Sequence, residues 1–242
     1  SSTVGVTNFL PSFMGTHLEK EIKALEGVLN NPNKPVAAII GGSKVSTKID
    51  VINFLLKKMD IIIIGGAMAN TFVAAKGLDV GTSLFEKECI DLAKELIEKS
   101  QNNNCNLILP TDFIVSKNLK KNAEYTTANF DSLPHNMMAL DIGPKSIELI
   151  NKNINNCKTI LWNGPLGAFE TYPFDKGTNK VASHVSSLTK QKKILSVAGG
   201  GDTVSALNNA KVLNDFSYVS TAGGAFLEWL EGKVLPGIEP IS

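Results

Sequence analysis

Five apolar residues in a row, Val36-Ala37-Ala38-Ile39-Ile40, lead directly into the pair Gly41-Gly42. A short, uninterrupted apolar run of this kind predicts a β-strand that is buried on both faces. The same combination of apolar run and glycine turn recurs four times: residues 61–64 before Gly65-Gly66, 159–162 before Asn163-Gly164, 194–198 before Gly199-Gly200-Gly201, and 218–220 before Thr221-Ala222-Gly223-Gly224. The chain therefore contains at least five strands that each end in a glycine-rich turn.

Stretches with helical spacing of apolar residues alternate with these strands. We predict helices at residues 17–29, 45–59, 68–75, 86–99, 146–154, 178–188, 203–209 and 225–231, and further strands at 106–109 and 113–115. Residues 116–136 are polar and predict a surface excursion or an antiparallel hairpin. Alternation of strand and helix indicates βαβ units. The predicted fold is α/β: one three-layer, Rossmann-like domain over residues 17–242, with a mainly parallel sheet, helices on both faces and a lead-in of residues 1–16.

Composition restricts the possible partners. The net charge of +1 does not indicate nucleic-acid binding, and no apolar run approaches the roughly 20 residues of a membrane span. The three cysteines are too few and too scattered for a disulfide framework or a zinc site, which favours reduced thiols in a cytoplasmic protein. All 24 basic residues are lysine. Any anion site must therefore use lysines, backbone N–H groups and helix N-termini rather than guanidinium groups.

The five glycine turns indicate where a ligand binds. The carboxyl ends of parallel strands lie along one edge of the sheet, and α/β folds bind ligands there. Glycine lets backbone N–H groups approach a ligand, and helix N-termini favour anions, so we expect a phosphorylated ligand. The chain contains no G-x-x-x-x-G-K-[ST] motif, no G-x-G-x-x-G after a strand and no G-x-S-x-G. These absences exclude a P-loop protein, weaken a dinucleotide-binding interpretation and disfavour an α/β-hydrolase.

Four charged residues near these turns are candidates for the chemistry. Lys44 and Lys48 have i,i+4 spacing at the start of a predicted helix, where two cations repel each other and oppose the helix dipole unless an anion lies between them. Asp202 follows Gly199-Gly200-Gly201 and is either an N-cap or a Mg²⁺ ligand. Glu170 could accept hydrogen bonds from ribose hydroxyls.

These stretches resemble phosphoglycerate kinase. The resemblance is carried by residues 40–48 (IGGSKVSTK), 81–85 (GTSLF), 140–144 (LDIGP), 162–170 (WNGPLGAFE), 199–203 (GGGDT) and 220–228 (STAGGAFLE). It extends over essentially the whole chain, but it is a resemblance to the C-terminal, nucleotide-binding half of the family alone. It implies that the arginine-rich, phosphoglycerate-binding N-terminal domain is absent, that residues 1–15 end the interdomain connection, and that this chain alone is inactive without the other half.

The resemblance also implies a reaction and residue roles. The reaction is reversible, in-line transfer of a phosphoryl group from 1,3-bisphosphoglycerate to MgADP, which gives 3-phosphoglycerate and MgATP. The catalytic residues would be Lys48, Gly201, Gly223 and Gly224, and Asp202 would position Mg²⁺. The implied nucleotide-binding residues are Gly41, Gly42, Lys44, Lys48, Gly65, Gly66, Leu84, Leu140, Asn163, Ala168, Glu170, Gly200, Gly201, Asp202 and Thr203.

Two positions depart from the family pattern, and two alternatives stay open. Ala67 and Ala222 stand where many relatives have glycine, which would narrow the adenine slot slightly and reduce flexibility in the last turn. One alternative is a non-catalytic nucleotide-binding module. The other is an NAD-dependent dehydrogenase domain, which is disfavoured because Gly65-Gly66-Ala67 stands where such enzymes carry an acidic residue. We expect a monomer that binds ADP or ATP and neither nucleic acid nor membrane.

Overall fold

A parallel sheet of six strands forms the centre of the molecule in the computed structural model, which describes residues 4–241. The strands are β1 (Val36–Ile40), β2 (Ile61–Ile64), β3 (Asn106–Ile108), β7 (Thr159–Asn163), β8 (Leu195–Ala198) and β9 (Tyr218–Val219). Their order in the sheet is β3-β2-β1-β7-β8-β9, and all of the pairings are parallel. The α/β fold predicted from the apolar runs is confirmed.

Eight α-helices surround the sheet within the described residues. They are α1 (Thr16–Leu29), α2 (Ile49–Leu55), α3 (Met68–Ala75), α4 (Ile90–Asn102), α5 (Pro144–Ile154), α6 (Lys176–Lys190), α7 (Gly201–Asn209) and α8 (Gly224–Leu230). One apolar core joins one face of the sheet to α1, α2, α3, α4 and α8. A second core joins the opposite face to α5, α6 and α7. Helices therefore cover both faces, as the uninterrupted apolar strands require.

The order of the parallel strands determines where a crevice forms. Successive strands run outward from β1 through β2 to β3, and the chain then returns to β7 on the other side of β1. Strand order reverses between β1 and β7, and the crevice outside the carboxyl ends of strands at such a point is the usual ligand site of an open α/β sheet. Within residues 4–241, none of the helices has both the length and the apolar character needed to span a membrane.

A second, antiparallel sheet of three strands lies beside the main one, in the order β5-β4-β6. Its strands are β4 (Asp112–Ser116), β5 (Thr126–Asn129) and β6 (Met138–Ile142). Residues 116–136 were predicted to form a surface excursion or an antiparallel hairpin. The segment contributes β5, which pairs antiparallel with β4, a strand that begins before it at Asp112. Strand β6 was not predicted, because a buried aspartate, Asp141, interrupts its apolar pattern.

Two helix predictions need correction. The helix predicted at 45–59 is limited to α2, because residues 43–48 form turns and the apolar side chain of Val45 is buried there without being helical. The helix predicted at 86–99 is divided into a 3-10 turn, Lys87–Cys89, and α4. The first three residues of the predicted lead-in lie outside the described range, and Gly5–Asn8 forms a short 3-10 helix.

A buried carboxylate on β4 connects the second sheet to helix α5. Asp112 is completely buried and accepts hydrogen bonds from the backbone N–H groups of Ser146 (2.7 Å) and Lys145 (3.0 Å). The Ser146 hydroxyl lies 2.6 Å from Asp112 Oδ1. Asp112 therefore caps the N-terminus of α5 from a different element, where the helix has Gly143 at its N-cap position and no cap of its own.

We expect Asp112→Ala to lower the free energy of unfolding by about 3 kcal/mol, because it leaves first-turn N–H groups of α5 buried without an acceptor. Urea unfolding followed by circular dichroism measures this. The control is Asp91→Ala, since Asp91 also lies in the first turn of a helix but is 91% exposed. The free energy of unfolding of this control should stay within about 1 kcal/mol of that of the unchanged chain. Equal losses for the two variants would show that the buried cap has no special importance.

Candidate functional site

Three glycine turns pack directly against one another at the carboxyl ends of β1, β2 and β7. The N–H of Gly41 donates to the Asn163 carbonyl (2.9 Å), and the N–H of Gly42 donates to the Pro165 carbonyl (3.1 Å). The N–H of Gly66 donates to the Leu166 carbonyl (2.9 Å). These turns are therefore held together by their backbones and form one continuous surface at the point where strand order reverses.

Glycine is required where these backbones meet. Gly66 has a φ of +69°, and a Cβ on it would lie 2.7 Å from the Gly42 nitrogen and closer still to the Gly42 carbonyl oxygen. Gly164 has a φ of +98°, and a Cβ there would overlap the Gly41 carbonyl. The predicted site residues Gly41 and Gly65 are buried, and their Cα atoms face Pro165 and Leu166 rather than open space.

A cavity of about 350 Å³ opens beside this surface. Its lining includes seven of the predicted nucleotide-binding residues: Gly42, Gly66, Leu84, Leu140, Ala168, Glu170 and Asp202. The rest of its lining is Ser43, Ala67, Leu119, Met138, Ala139, Pro165, Gly167, Phe169 and Thr171. Because most of these side chains are apolar and two carboxylates are present, the cavity suits a flat apolar group attached to a polar one. We call it the base cavity.

Lys48 reaches the site from the end of a loop and not from a helix face. It occupies the N-cap position of α2, and its Nζ donates to Asn163 Oδ1. Asn163 is buried, and its Nδ2 donates to the Gly199 carbonyl (2.7 Å). Burial lowers the pKa of Lys48 below its usual value, although the negative charges of Asp202 and Glu231 act to raise it. A partly buried lysine can bind an anion, whose negative charge favours the protonated form of the amine.

The expectation that Lys44 and Lys48 share a face at the start of a helix is wrong, because residues 43–48 form turns and the helix begins only at Ile49. Lys44 is exposed, whereas Lys48 is partly buried. The two lysines nevertheless belong to one loop that follows the Gly41-Gly42 turn.

The turn after β8 presents a helix N-terminus to the same edge. Gly200 has a φ of +96° and precedes α7, whose first turn contains Gly201, Asp202 and Thr203. Asp202 is exposed and lies in the first turn of α7, whose N-cap residue is Gly200, so the interpretation of Asp202 as the N-cap is wrong. The first-turn N–H groups of α7 have no helical carbonyl partner and can bind an anion.

The hydroxyl of Thr203, one of the predicted nucleotide-binding residues, is bonded within the protein. The side chain is buried, and the hydroxyl accepts from the Gly164 N–H (2.7 Å) and donates to the Gly199 carbonyl (2.8 Å). In this structure the hydroxyl therefore connects the β7 and β8 turns, and only the backbone N–H of Thr203 is oriented as a helix N-terminus.

The turn after β9 carries the remaining predicted residues. Gly223 has a φ of +56° and is the N-cap residue of α8, which begins at Gly224. Gly200, Gly201 and Gly223 line a second cavity, of about 610 Å³, that lies along β9. Seven predicted residues thus line the base cavity, and three others line this second cavity. Lys48 and Asn163 line neither cavity, but Asn163 contacts the turn after β8 through its hydrogen bond to Gly199.

Comparison with known proteins identifies the family. The family model for phosphoglycerate kinase matches residues 1–233. The chain belongs to the phosphoglycerate kinase family. It is 50% identical to the phosphoglycerate kinase of Rhizobium meliloti (strain 1021) and 52% identical to that of Brucella melitensis, in each case over 99% of this chain and 60% of the relative.

Solved structures agree with the sequence relatives. The structure of phosphoglycerate kinase from Coxiella burnetii matches with a TM-score of 0.94 at 43% identity, covering 99% of this chain and 61% of that one. The structure from Pyrococcus horikoshii matches with a TM-score of 0.81 at 27% identity, covering 99% and 60%. The chain thus spans about 60% of the length of the relatives it matches. The family resemblance inferred from the motifs is confirmed.

Several residues of the site were not predicted from the sequence. Asn70 is buried on α3 and donates from Nδ2 to the Leu84 carbonyl (3.0 Å), which fixes one wall of the base cavity. The polar pair Asn70 and Thr71 inside the apolar helix 68–75 was a detectable signal. Leu119, 50% exposed, contributes to the cavity from the polar segment after β4, and its only signal was being apolar in polar surroundings.

We expect Gly66→Ala to lower the free energy of unfolding by about 3 kcal/mol or more, since it adds a backbone clash to an unfavourable φ. Gly77→Ala is the matched control: Gly77 has a φ of +78°, but a Cβ there meets nothing within 4 Å. The control should cost only about 1–2 kcal/mol. Denaturant unfolding of the two variants measures the difference. A Gly66 variant no less stable than the Gly77 variant would contradict the packing described here.

Proposed function

We propose that this protein is the nucleotide-binding part of a phosphoglycerate kinase. The proposed reaction is the reversible transfer of a phosphoryl group from 1,3-bisphosphoglycerate to MgADP, which gives 3-phosphoglycerate and MgATP. One observation carries the proposal: Asp202, in the first turn of α7, also lines the base cavity. An apolar cavity and a free helix N-terminus are therefore adjacent, as the base and the phosphates of one nucleotide require.

The fold alone does not separate this proposal from the dehydrogenase alternative. The strand order is the one that dinucleotide-binding folds use. The match of the kinase family to residues 1–233 is what favours the kinase.

We propose that the base lies in the base cavity between the glycine turns and the side chains of Leu84, Leu140 and Ala168. Apolar walls there would bury a flat purine, and the backbone of Gly66 could approach it closely because no side chain intervenes. Glu170, in the same lining, is the candidate acceptor for the ribose hydroxyls.

The phosphates would continue from the cavity to the N-terminus of α7. Its first-turn N–H groups, with the backbone of Gly200 and Gly201, supply donors without any arginine. Lys44 and Lys48 supply the positive charge. Lys48 would exchange its hydrogen bond to Asn163 for one to a phosphate oxygen, and Asn163 would then lie close to the phosphates.

Asp202 is the candidate residue for Mg²⁺. Its carboxylate is exposed and uncommitted to helix capping, and no cluster of three or more His, Cys, Asp or Glu suited to a metal occurs within residues 4–241. A single carboxylate fits a cation that takes most of its ligands from phosphate oxygens and water. When bound, Mg²⁺ would neutralise negative charge on the nucleotide phosphates.

Phosphoryl transfer in this proposal needs positioning and charge stabilisation, not a covalent enzyme intermediate. Lys48 would stabilise negative charge on the transferring group, and its partial burial strengthens that interaction. Gly201, Gly223 and Gly224 would add backbone donors from the two turns that face the transferring group. The phosphoglycerate would bind in the part of the family's length that this chain does not span, since no arginine is available here.

We expect the chain to bind MgADP, and we expect Asp202→Asn to weaken that binding roughly tenfold in Mg²⁺ but less than about twofold in EDTA, because a neutral amide is a poor ligand for a hard cation. Isothermal titration in both buffers measures this. The control is Asp91→Asn, an exposed first-turn aspartate on α4 outside the cavity lining. No MgADP binding by the unchanged chain would refute the proposed function. An equal loss of affinity in both buffers would refute only the role of Asp202.

A further inference from the structure

The loop that carries both candidate lysines is fastened by a carboxylate from a distant part of the sequence. We call residues 43–48 the lysine loop. The backbone N–H of Ser46 donates to Glu86 Oε2 (3.0 Å), and the Ser46 hydroxyl donates to Glu86 Oε1 (2.5 Å). Each oxygen of one carboxylate thus accepts a hydrogen bond from the middle of the loop.

The other contacts of the loop are mostly internal. The N–H of Lys48 donates to the Val45 carbonyl (2.8 Å), and the Thr47 hydroxyl donates to the Lys44 carbonyl (3.0 Å). Ser43, Lys44, Ser46 and Thr47 are exposed, whereas the side chain of Val45 is fully buried. Internal bonds shape the loop but do not fix it to the domain. The contacts that do so are the burial of Val45, the hydrogen bond from Lys48 to Asn163 and the two bonds from Ser46 to Glu86.

Glu86 is itself firmly placed. Its N–H donates to the Thr71 hydroxyl (3.1 Å) on α3, and Thr71 is buried. Two residues earlier, the Leu84 carbonyl accepts from Asn70 on the same helix (3.0 Å). The segment that forms a wall of the base cavity therefore also supplies the carboxylate that holds the lysine loop.

We infer that Glu86 is a positioning residue for the phosphate end of the nucleotide site: it holds the lysine loop where Lys44 and Lys48 can reach the phosphates, without touching the nucleotide itself. This inference rests on the proposed function. Glu86 is outside the lining of the base cavity, and Leu84 is within it. Two residues of one short segment thus act on the two ends of the nucleotide site. Leu84 lines the base cavity directly, and Glu86 acts on the phosphate end through Ser46.

The charge state of Glu86 agrees with this role. Burial opposes ionisation of the carboxyl, but the hydrogen bonds from Ser46 and Val45 and the charge of Lys44 outweigh it and lower the pKa of Glu86 below its usual value. An ionised carboxylate accepts one bond from Ser46 at each oxygen, whereas a glutamine offers a single acceptor oxygen and no negative charge.

The test compares ligands that report on different ends of the site. Adenosine reports on the base cavity alone, whereas MgADP also needs the phosphate end. We expect Glu86→Gln to weaken MgADP binding roughly tenfold while adenosine binding changes less than about twofold, because only the phosphate end loses its preformed geometry. Calorimetry for MgADP, and NMR titration for the weaker adenosine, measure these affinities in the 242-residue chain.

Two further variants complete the design. Glu88→Gln removes the same charge from an exposed residue of the adjacent 3-10 turn and should leave both affinities unchanged. Ser46→Ala removes only the hydroxyl bond and should weaken MgADP binding in part, and combining it with Glu86→Gln should add little, since both act on one contact. Ser46→Ala also keeps the test decisive if Glu86→Gln folds poorly.

The outcomes are separable. Selective loss of MgADP affinity in the Glu86 and Ser46 variants supports the inference. Equal loss for adenosine and MgADP, or a loss in Glu88→Gln as large as in Glu86→Gln, overturns it in favour of general destabilisation or simple charge removal. Unchanged MgADP affinity in Glu86→Gln also overturns it. Failure of the unchanged chain to bind MgADP would instead refute the proposed function, and the inference with it.

Discussion

The direct packing of backbone against backbone where β1, β2 and β7 end is the constraint on which the rest of the site depends. Hydrogen bonds from Gly41, Gly42 and Gly66 to carbonyl groups of residues 163–166 join the three turns. A side chain at Gly66 or Gly164 would force these backbones apart. Because the strand order reverses between β1 and β7, the joined turns form the floor of the crevice, and the base cavity and the lysine loop both begin at them.

A chain without arginine must recognise phosphate by other means, and the structure offers several of them together. The N-terminus of α7 gives oriented backbone donors, and Lys48 gives a cation whose partial burial strengthens its field. Asn163 holds Lys48 beside the α7 turn, and Glu86 holds the loop from which Lys48 extends. The positive charge is thus placed by polar contacts from separate segments, which compensates for the flexibility of a lysine side chain.

The sequence was most informative where structure follows from local pattern. The parallel strands were predicted because each contains a short, mainly apolar run, and the ligand edge because a glycine-rich turn follows five of these runs. Strand β6 was missed because Asp141 belongs to it and is buried through hydrogen bonds from the N–H groups of Gly177 (2.6 Å) and Ile142 (2.9 Å), a compensation that no local pattern reveals. The bond from the Gly164 N–H to the Thr203 hydroxyl and the Glu86–Ser46 contact likewise join residues that are 39 and 40 positions apart. The helix predicted at 45–59 was too long because Val45 is buried in a turn, and an apolar residue at helical spacing does not reveal which structure buries it.

The central claim is that one nucleotide lies across the carboxyl edge of the sheet, with its base in the cavity of about 350 Å³ and its phosphates at the N-terminus of α7. A crystal structure of this chain grown with MgADP tests it most directly. The account predicts the purine between Leu84 and Ala168, the phosphates within hydrogen-bond distance of the α7 first-turn N–H groups, and Lys48 released from Asn163. A purine bound instead in the cavity of about 610 Å³ along β9, or phosphates distant from α7, would contradict it.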